Sequence, residues 1–226
     1  MNYIANICIV GFEGRCYNAG LMQKLILIRH GQTDWNTEGR VQGGGKLNEV
    51  GISQCHALAI ELQSSQLSVV YTSPSQRAHE TASIIATNLS RPIYTTPLLK
   101  DLDYGIWSGA LLEHLMSDDP ELFERWQKHP ERVTFPEGES LSDLRLRVST
   151  FLNCVTKKHP KENLAIVTHE SPIISMVAIA LEIPDSSHRC FHADNASLTV
   201  LELENKKYIL SAFNNTSHLD ETVKLL

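Results

Sequence analysis

Apolar positions along the chain recur with two periods, one of strands and one of helices. Leu25-Ile26-Leu27-Ile28 is an unbroken apolar run, the pattern of a strand buried on both faces, and it stops at Arg29-His30-Gly31. A Gly-rich loop follows from Gly39 to Gly45. Asn48 has the side chain to cap a helix, and Ile52, Cys55, Leu58, Ala59 and Leu62 recur near 3.6 residues, which predicts an inward face. Val69-Val70-Tyr71 predicts a second strand ending at Thr72-Ser73-Pro74. A helix over about 75–89 then turns Ala78, Ala82, Ile85 and Leu89 inward, and residues 92–104 read as extended.

The second half repeats the alternation after an interruption. Residues 110–138 read as helical but polar, with Trp126, Pro130 and Pro136, and predict a small inserted lid. Ser140 opens a long amphipathic helix with Leu141, Leu144, Val148, Phe151, Leu152 and Val155 inward. Leu164-Ala165-Ile166-Val167 is another apolar strand, ending in Thr168-His169-Glu170, and Pro172 sits in the first turn of a helix reaching 181. Residues 197–203 and 208–213 alternate around Asn205-Lys206-Lys207, a closing hairpin. Strands alternating with helices predict an α/β fold: a three-layer α/β/α sandwich around a mostly parallel sheet. Met22 precedes the first strand, so residues 1–21 read as an N-terminal extension of unknown role and 22–226 as one domain.

Composition narrows the classes. At 226 residues the chain suits one large domain, and 42% hydrophobic with 20% charged residues excludes disordered and coiled-coil chains. A net charge of -6 argues against a nucleic-acid partner, which favours a basic face. No apolar run approaches the roughly 20 residues of a membrane span. The start, MNYIANICIVGF, lacks the basic beginning and small-residue cleavage site of a signal peptide. Five scattered cysteines without CxxC spacing build neither a disulfide framework nor a zinc site, and read as reduced thiols of a cytoplasmic protein. A homodimer stays an open option, on which the sequence is silent.

The chemistry gathers at strand ends. LILIRHG and LAIVTHE both finish in histidine, and Arg77 lies just beyond the strand between them. Ligands of α/β sheets bind at the carboxyl ends of strands. Arg29, His30, Arg77 and His169 therefore converge in expectation on one crevice. Two guanidinium forks and two imidazoles make an anion site without a metal.

The local sequences carry a resemblance. Arg29-His30-Gly31-Gln32-Thr33-Asp34-Trp35-Asn36 fits R-H-G-x-T-x-x-N. The match continues through Gln42-Gly43, Leu47 with Gly51, Ser73-Pro74, Arg77-Ala78, Thr81-Ala82 and Gly105-x-Trp107-x-Gly109. Gly138-Glu139-Ser140, Arg147, His169, Asn195 with Ser197, and the tail from Asn214 to Leu219 follow in order. Over about residues 24–219 the chain resembles the histidine phosphatase superfamily, whose members resemble cofactor-dependent phosphoglycerate mutase. The resemblance implies that His30 attacks phosphorus and becomes a phosphohistidine. It implies that Arg29, Arg77 and His169 hold the phosphoryl oxygens, with Asn36, Gln42 and Gly43 as further contacts. Neither metal nor cofactor is implied, and the partner is a small phosphate monoester.

Departures from the family pattern bear on details. The family's acid is a glutamate four residues before the glycine matching Gly105; here Asp101 stands there, shorter by about one methylene. Asp103 is the alternative, on the same face of an extended segment. Glu170 replaces a common glycine, and a carboxylate there repels phosphate unless it turns away or meets a cationic part of the substrate. Glu80 replaces a common glutamine and reads as a solvated helix residue. Gly43-Gly44-Gly45-Lys46 fails as a phosphate-binding P-loop, since Arg40 and Leu47 stand where Gly and Ser/Thr belong. No H-E-x-x-H supports a metal hydrolase. His56, His114, His129, His159 and His188 read as surface residues; His192 and His218 read as surface too, with lining the crevice as the alternative, while Trp35 and Trp107 read as pocket wall or core. Residues 110–136 hold three basic side chains (Arg125, Lys128, Arg132) against six acidic ones (Glu113, Asp118, Asp119, Glu121, Glu124, Glu131). A net-negative lid favours a monoester phosphatase over the alternative, a 2,3-bisphosphoglycerate-dependent mutase. A catalytically weak phosphate-sensing module is a distant third.

Overall fold

The computed structural model describes residues 9–10, 16–17, 22–41 and 44–219. Of the N-terminal extension, β1 (Ile9–Val10) and β2 (Cys16–Tyr17) pair antiparallel with each other; the rest of residues 1–21 lies outside the described part. The apolar runs form β3 (Gln23–Arg29), β4 (Leu67–Thr72), β5 (Ile93–Thr95) and β6 (Asn163–Thr168), and the predicted hairpin forms β7 (Leu198–Glu204) and β8 (Lys207–Asn215). They assemble as one six-stranded sheet in the order β5-β4-β6-β3-β7-β8. The first four strands are mutually parallel, and β7 and β8 join antiparallel. The mostly parallel sheet of the sequence reading is therefore present.

Strand pleating sends alternate residues to opposite faces, and each face has its own core. Ile26, Ile28, Val70 and Val167 pack against Leu58, Ala82 and Ile85 of α2 (Glu49–Glu61) and α3 (Gln76–Leu89). Leu25, Leu27, Leu164 and Ile166 pack against α6 (Leu141–Lys158) and α7 (Glu170–Ala180), after α1 (Asp34–Thr37), α4 (Leu112–Asp118) and α5 (Pro120–Lys128) in chain order. All six inward residues expected of α6 are buried, and Ser140 caps it by accepting from Asp143 N. Asn48 caps α2 as expected, accepting from Gly51 N.

Several expectations are corrected. Within residues 92–104 only Ile93–Thr95 pairs as a strand and Pro97–Leu99 is a 3-10 turn; a second 3-10 turn, Gly105–Trp107, follows, with Gly105 at φ +53°. The 110–138 insertion is polar only outside: Leu115, Leu122, Trp126, Val133 and Phe135 are buried in the core of the α6 face. Phe135 has ring neighbours in Tyr104, Trp107 and Trp126 at 4.8, 5.2 and 5.1 Å. Ile52 is 42% exposed, because the inward line of α2 is centred on Gly51, Cys55 and Leu58 and Ile52 sits at its margin. His159 and His188 are buried rather than on the surface. His159, the C-cap of α6, lies against the Tyr71 hydroxyl at 2.9 Å, and His188, within the 3-10 segment Asp185–Cys190, lies against the Trp126 ring at 5.6 Å. Glu80 is half-buried, and its carboxylate accepts from Leu47 N at 2.8 Å.

Candidate active site

Strand order decides which side chains meet. Because β6 lies between β4 and β3, the carboxyl ends of the three are adjacent. They deliver His169, Arg77 and His30 side by side although His30 and His169 are 139 positions apart. His30 is fixed by its backbone: its N–H donates to Thr168 O at 3.0 Å, and its carbonyl accepts from Ala196 N at 3.1 Å. Gly31 follows because a Cβ there would lie 2.6 Å from Gly51 O and 2.9 Å from Cys55 Sγ. That close approach presses the His30 loop onto α2. The amino ends of α3 and α7 also open here, adding the partial positive charge of unpaired N–H groups.

Hydrogen bonding defines both imidazole tautomers. His30 Nδ1 lies 2.7 Å from Gly31 O, which can only accept, so Nδ1 carries the proton and Nε2 keeps its lone pair. Arg77 Nε donates to that Nε2 at 2.9 Å. Arg77 Nη2 lies 2.9 Å from His169 Nδ1 and can only donate, so His169 is protonated on Nε2, which donates to Ser73 Oγ at 2.9 Å. The two rings stand 5.1 Å apart, edge to face. Burial holds both histidines well below the ordinary range. Arg77 and Arg29 lower His30 further; Arg77, His30 and Arg29 do the same for His169. Both are neutral at pH 7.

Asp101 and Asp103 separate clearly. Asp101 Oδ2 lies 3.5 Å from Arg77 Nη2 and 3.9 Å from His169 Nδ1, in the same cavity as His30. Burial raises its pKa, with Arg77 and Arg29 opposing. Asp103 Oδ1 instead accepts from Gly105 N at 2.9 Å, and Asp103 lines only a neighbouring depression that it shares with Asp101, not the cavity of His30. The cavity is also lined by Asn36 and Glu170. Asn36 Oδ1 accepts from Thr33 N and from Asn195 Nδ2, whose other acceptor is His30 O. Gln42 and Gly43 lie outside the described residues.

Glu170 sits beside the anion pocket without turning away. Its Oε2 faces Arg29 Nη1 at 3.3 Å, and its Oε1 meets His192 Nδ1 at 2.6 Å. Burial works to raise its pKa, yet the His192 bond and the Arg29 charge outweigh it, and the carboxyl ends below its usual range. His192, bonded also to Asp194 at 3.0 Å, has its pKa raised, mainly by Glu170. The repulsion expected of Glu170 is thus cancelled by pairing.

Tyr104, Ser171 and Arg189 line the cavity without having been singled out in the sequence. Tyr104 Oη and Ser171 Oγ share a hydrogen bond at 3.2 Å, and Arg189 donates to Gln127 Oε1 at 3.1 Å. Tyr104 and Arg189 come from segments with no periodic signal, whereas Ser171, in the first turn of α7 two residues past His169, was within reach of the strand-end rule. Trp107 is both core and wall, 2% exposed and cavity-lining; Trp35 instead lies under the Arg40 guanidinium. Two buried donors of cavity-lining residues, Arg29 Nε and Trp107 Nε1, lack an acceptor among the described residues. No group of three or more His, Cys, Asp or Glu side chains among those residues is disposed to hold a metal ion.

A parallel α/β sheet with paired arginines and neutral histidines at its carboxyl edge defines a protein built to hold a tetrahedral oxyanion against an imidazole. The chain belongs to the histidine phosphatase superfamily (branch 1), whose family model matches residues 25–216. It is 38% identical over 202 residues to phosphoserine phosphatase 1 of Hydrogenobacter thermophilus, spanning 88% of this chain and 96% of that protein. Identity to the metal-independent phosphoserine phosphatase of Arabidopsis thaliana is 31% over 201 residues, spanning 87% and 83%. A solved phosphoserine phosphatase variant of Entamoeba histolytica, in complex with phosphoserine, superposes with a TM-score of 0.79 at 26% identity, spanning 87% and 99%.

Proposed function

We propose that this chain is a metal-independent phosphatase that hydrolyses small phosphate monoesters, phosphoserine foremost, through a phosphohistidine on His30. The observation that carries the reading is the Nε2 lone pair of a buried, neutral His30 that lines the cavity beside Arg77, with the His169 ring buried behind the Arg77 guanidinium. The relatives' names support the substrate class.

When a monoester enters, its phosphoryl oxygens take over the Arg77 Nε–H that now caps Nε2, and the lone pair faces phosphorus. The N–P bond forms as the P–O bond to the alcohol breaks, and charge spreads over three equatorial oxygens. Arg29 and Arg77 stabilise that charge, and His169 holds Arg77 Nη2 in place. Asp101 gives its proton to the departing alkoxide. It then takes a proton from the water that attacks phosphorus, releasing phosphate and restoring His30. Asn36 orients the His30 loop through Asn195. Glu170 keeps Arg29 aligned.

A panel of phosphate monoesters scored by kcat/KM tests the reading, with phosphoserine expected to rank highest. Incubation with 3-phosphoglycerate and a trace of 2,3-bisphosphoglycerate should form little 2-phosphoglycerate. Isomerisation as fast as the best hydrolysis, or no phosphate released from any monoester, overturns it.

A further inference from the structure

Asp101 lies in a stretch with almost no backbone ladder, from the 3-10 turn Pro97–Leu99 to the one at Gly105. A proton donor needs placement to within about half an ångström, so something else must hold this segment. Its carbonyls show what does. Arg147, on α6 between the buried Leu144 and Val148, donates from Nη1 to Leu98 O at 2.9 Å and to Lys100 O at 2.7 Å. Its Nη2 donates to Asp101 O at 2.7 Å. The one carbonyl skipped, Leu99 O, accepts from Thr168 Oγ1 at 2.7 Å, next to His169. The guanidinium is itself fixed by Glu139, with Nε and Nη2 each 2.9 Å from a carboxylate oxygen. Glu139 also grips the far side of the acid: its Oε2 accepts from Asp103 N at 3.1 Å, and its N donates to Asp103 O at 2.8 Å.

We propose that the Arg147–Glu139 pair is a positioning clamp that sets where the Asp101 carboxyl stands relative to the leaving oxygen. Neither residue is among those lining the cavity that holds His30, so the pair acts through Asp101. Only a five-donor planar fork reaches three carbonyls and a carboxylate together, which a lysine ammonium cannot do. The inference rests on Asp101 being the proton donor.

The test separates positioning from general support by leaving group. kcat/KM reports the steps through alcohol departure, so it is measured on phosphoserine, whose alkoxide needs a proton, and on p-nitrophenyl phosphate, whose phenolate does not. Arg147→Met should lower kcat/KM on phosphoserine by about 10²-fold, the scale of a misplacement of roughly 1 Å, and on p-nitrophenyl phosphate less than about threefold. Arg147→Lys and Glu139→Gln should show the same bias in milder form, and they carry the test if Arg147→Met does not fold. In an Asp101→Asn background Arg147→Met should add nothing to the bias, because both changes remove one function. Equal losses on both substrates, or full additivity with Asp101→Asn, overturn the clamp while leaving the acid in place. If Asp101→Asn alone shows no leaving-group bias, the acid assignment fails and the clamp fails with it.

Discussion

Lowering the pH from 7 to 4 should destabilise the fold by about 3 kcal/mol at one side chain, His188. That imidazole is buried against Trp126 in the wall of the active-site cavity. Burial, with the Arg189 charge adding to it, lowers its pKa from 6.5 to about 4. An unfolded chain keeps the ordinary value, so between these two pH values it binds more protons at this site than the fold does. The contribution is therefore fully present above about 6.5, declines as pH falls, and is gone below about 4. At about 1.36 kcal/mol for each pH unit of that gap the loss comes to about 3 kcal/mol, a large part of the roughly 5–15 kcal/mol that stabilises a typical domain. Urea unfolding at pH 7.5, 6, 5 and 4 measures it, on the natural chain and on His188→Gln. The variant should start less stable and fall less steeply, with the two curves converging by about 3 kcal/mol. His30 and His169 add the same sign of dependence in both proteins and cancel in the comparison. Parallel curves would refute the reasoning.

Two shorter predictions concern the site. Activity on phosphoserine should be unchanged by EDTA, since the Arg29 and Arg77 guanidiniums carry the charge stabilisation; loss on chelation restored by one divalent metal would contradict this. In Arg77→Met the His30 imidazole should titrate at higher pH than in the natural chain, because a neighbouring positive charge has been removed; nitrogen-15 NMR of labelled histidine reads it, and an unmoved titration would count against the electrostatic picture.

The parts of the fold written in strong period were legible in the sequence. The strands Leu25–Ile28 and Leu164–Val167 announce their burial by being apolar throughout, and α6 shows its inward face residue by residue. The same logic found His30, Arg77 and His169, since parallel strands end at one edge whatever their separation in the chain. Segments whose structure depends on distant partners were less readable. The 110–138 insertion looked polar because its buried residues, Trp126 and Phe135 among them, are spaced irregularly between charges. His188 and His159 are buried by neighbours that local sequence does not display. The register before Gly105 favours Asp101 over Asp103, but the sequence does not display the bond that ties Asp103 to Gly105 N or the Arg147 contact to the Asp101 carbonyl.

The proposed mechanism requires phosphorus to become bonded to His30. A rapid quench with phosphoserine labelled at phosphorus, followed by peptide mapping, measures that bond. Acid-labile, base-stable label should appear on the peptide carrying His30 within one turnover. His30→Ala should retain the fold, carry no label and release no phosphate. Label on a serine or aspartate, or label persisting in His30→Ala, would contradict the mechanism.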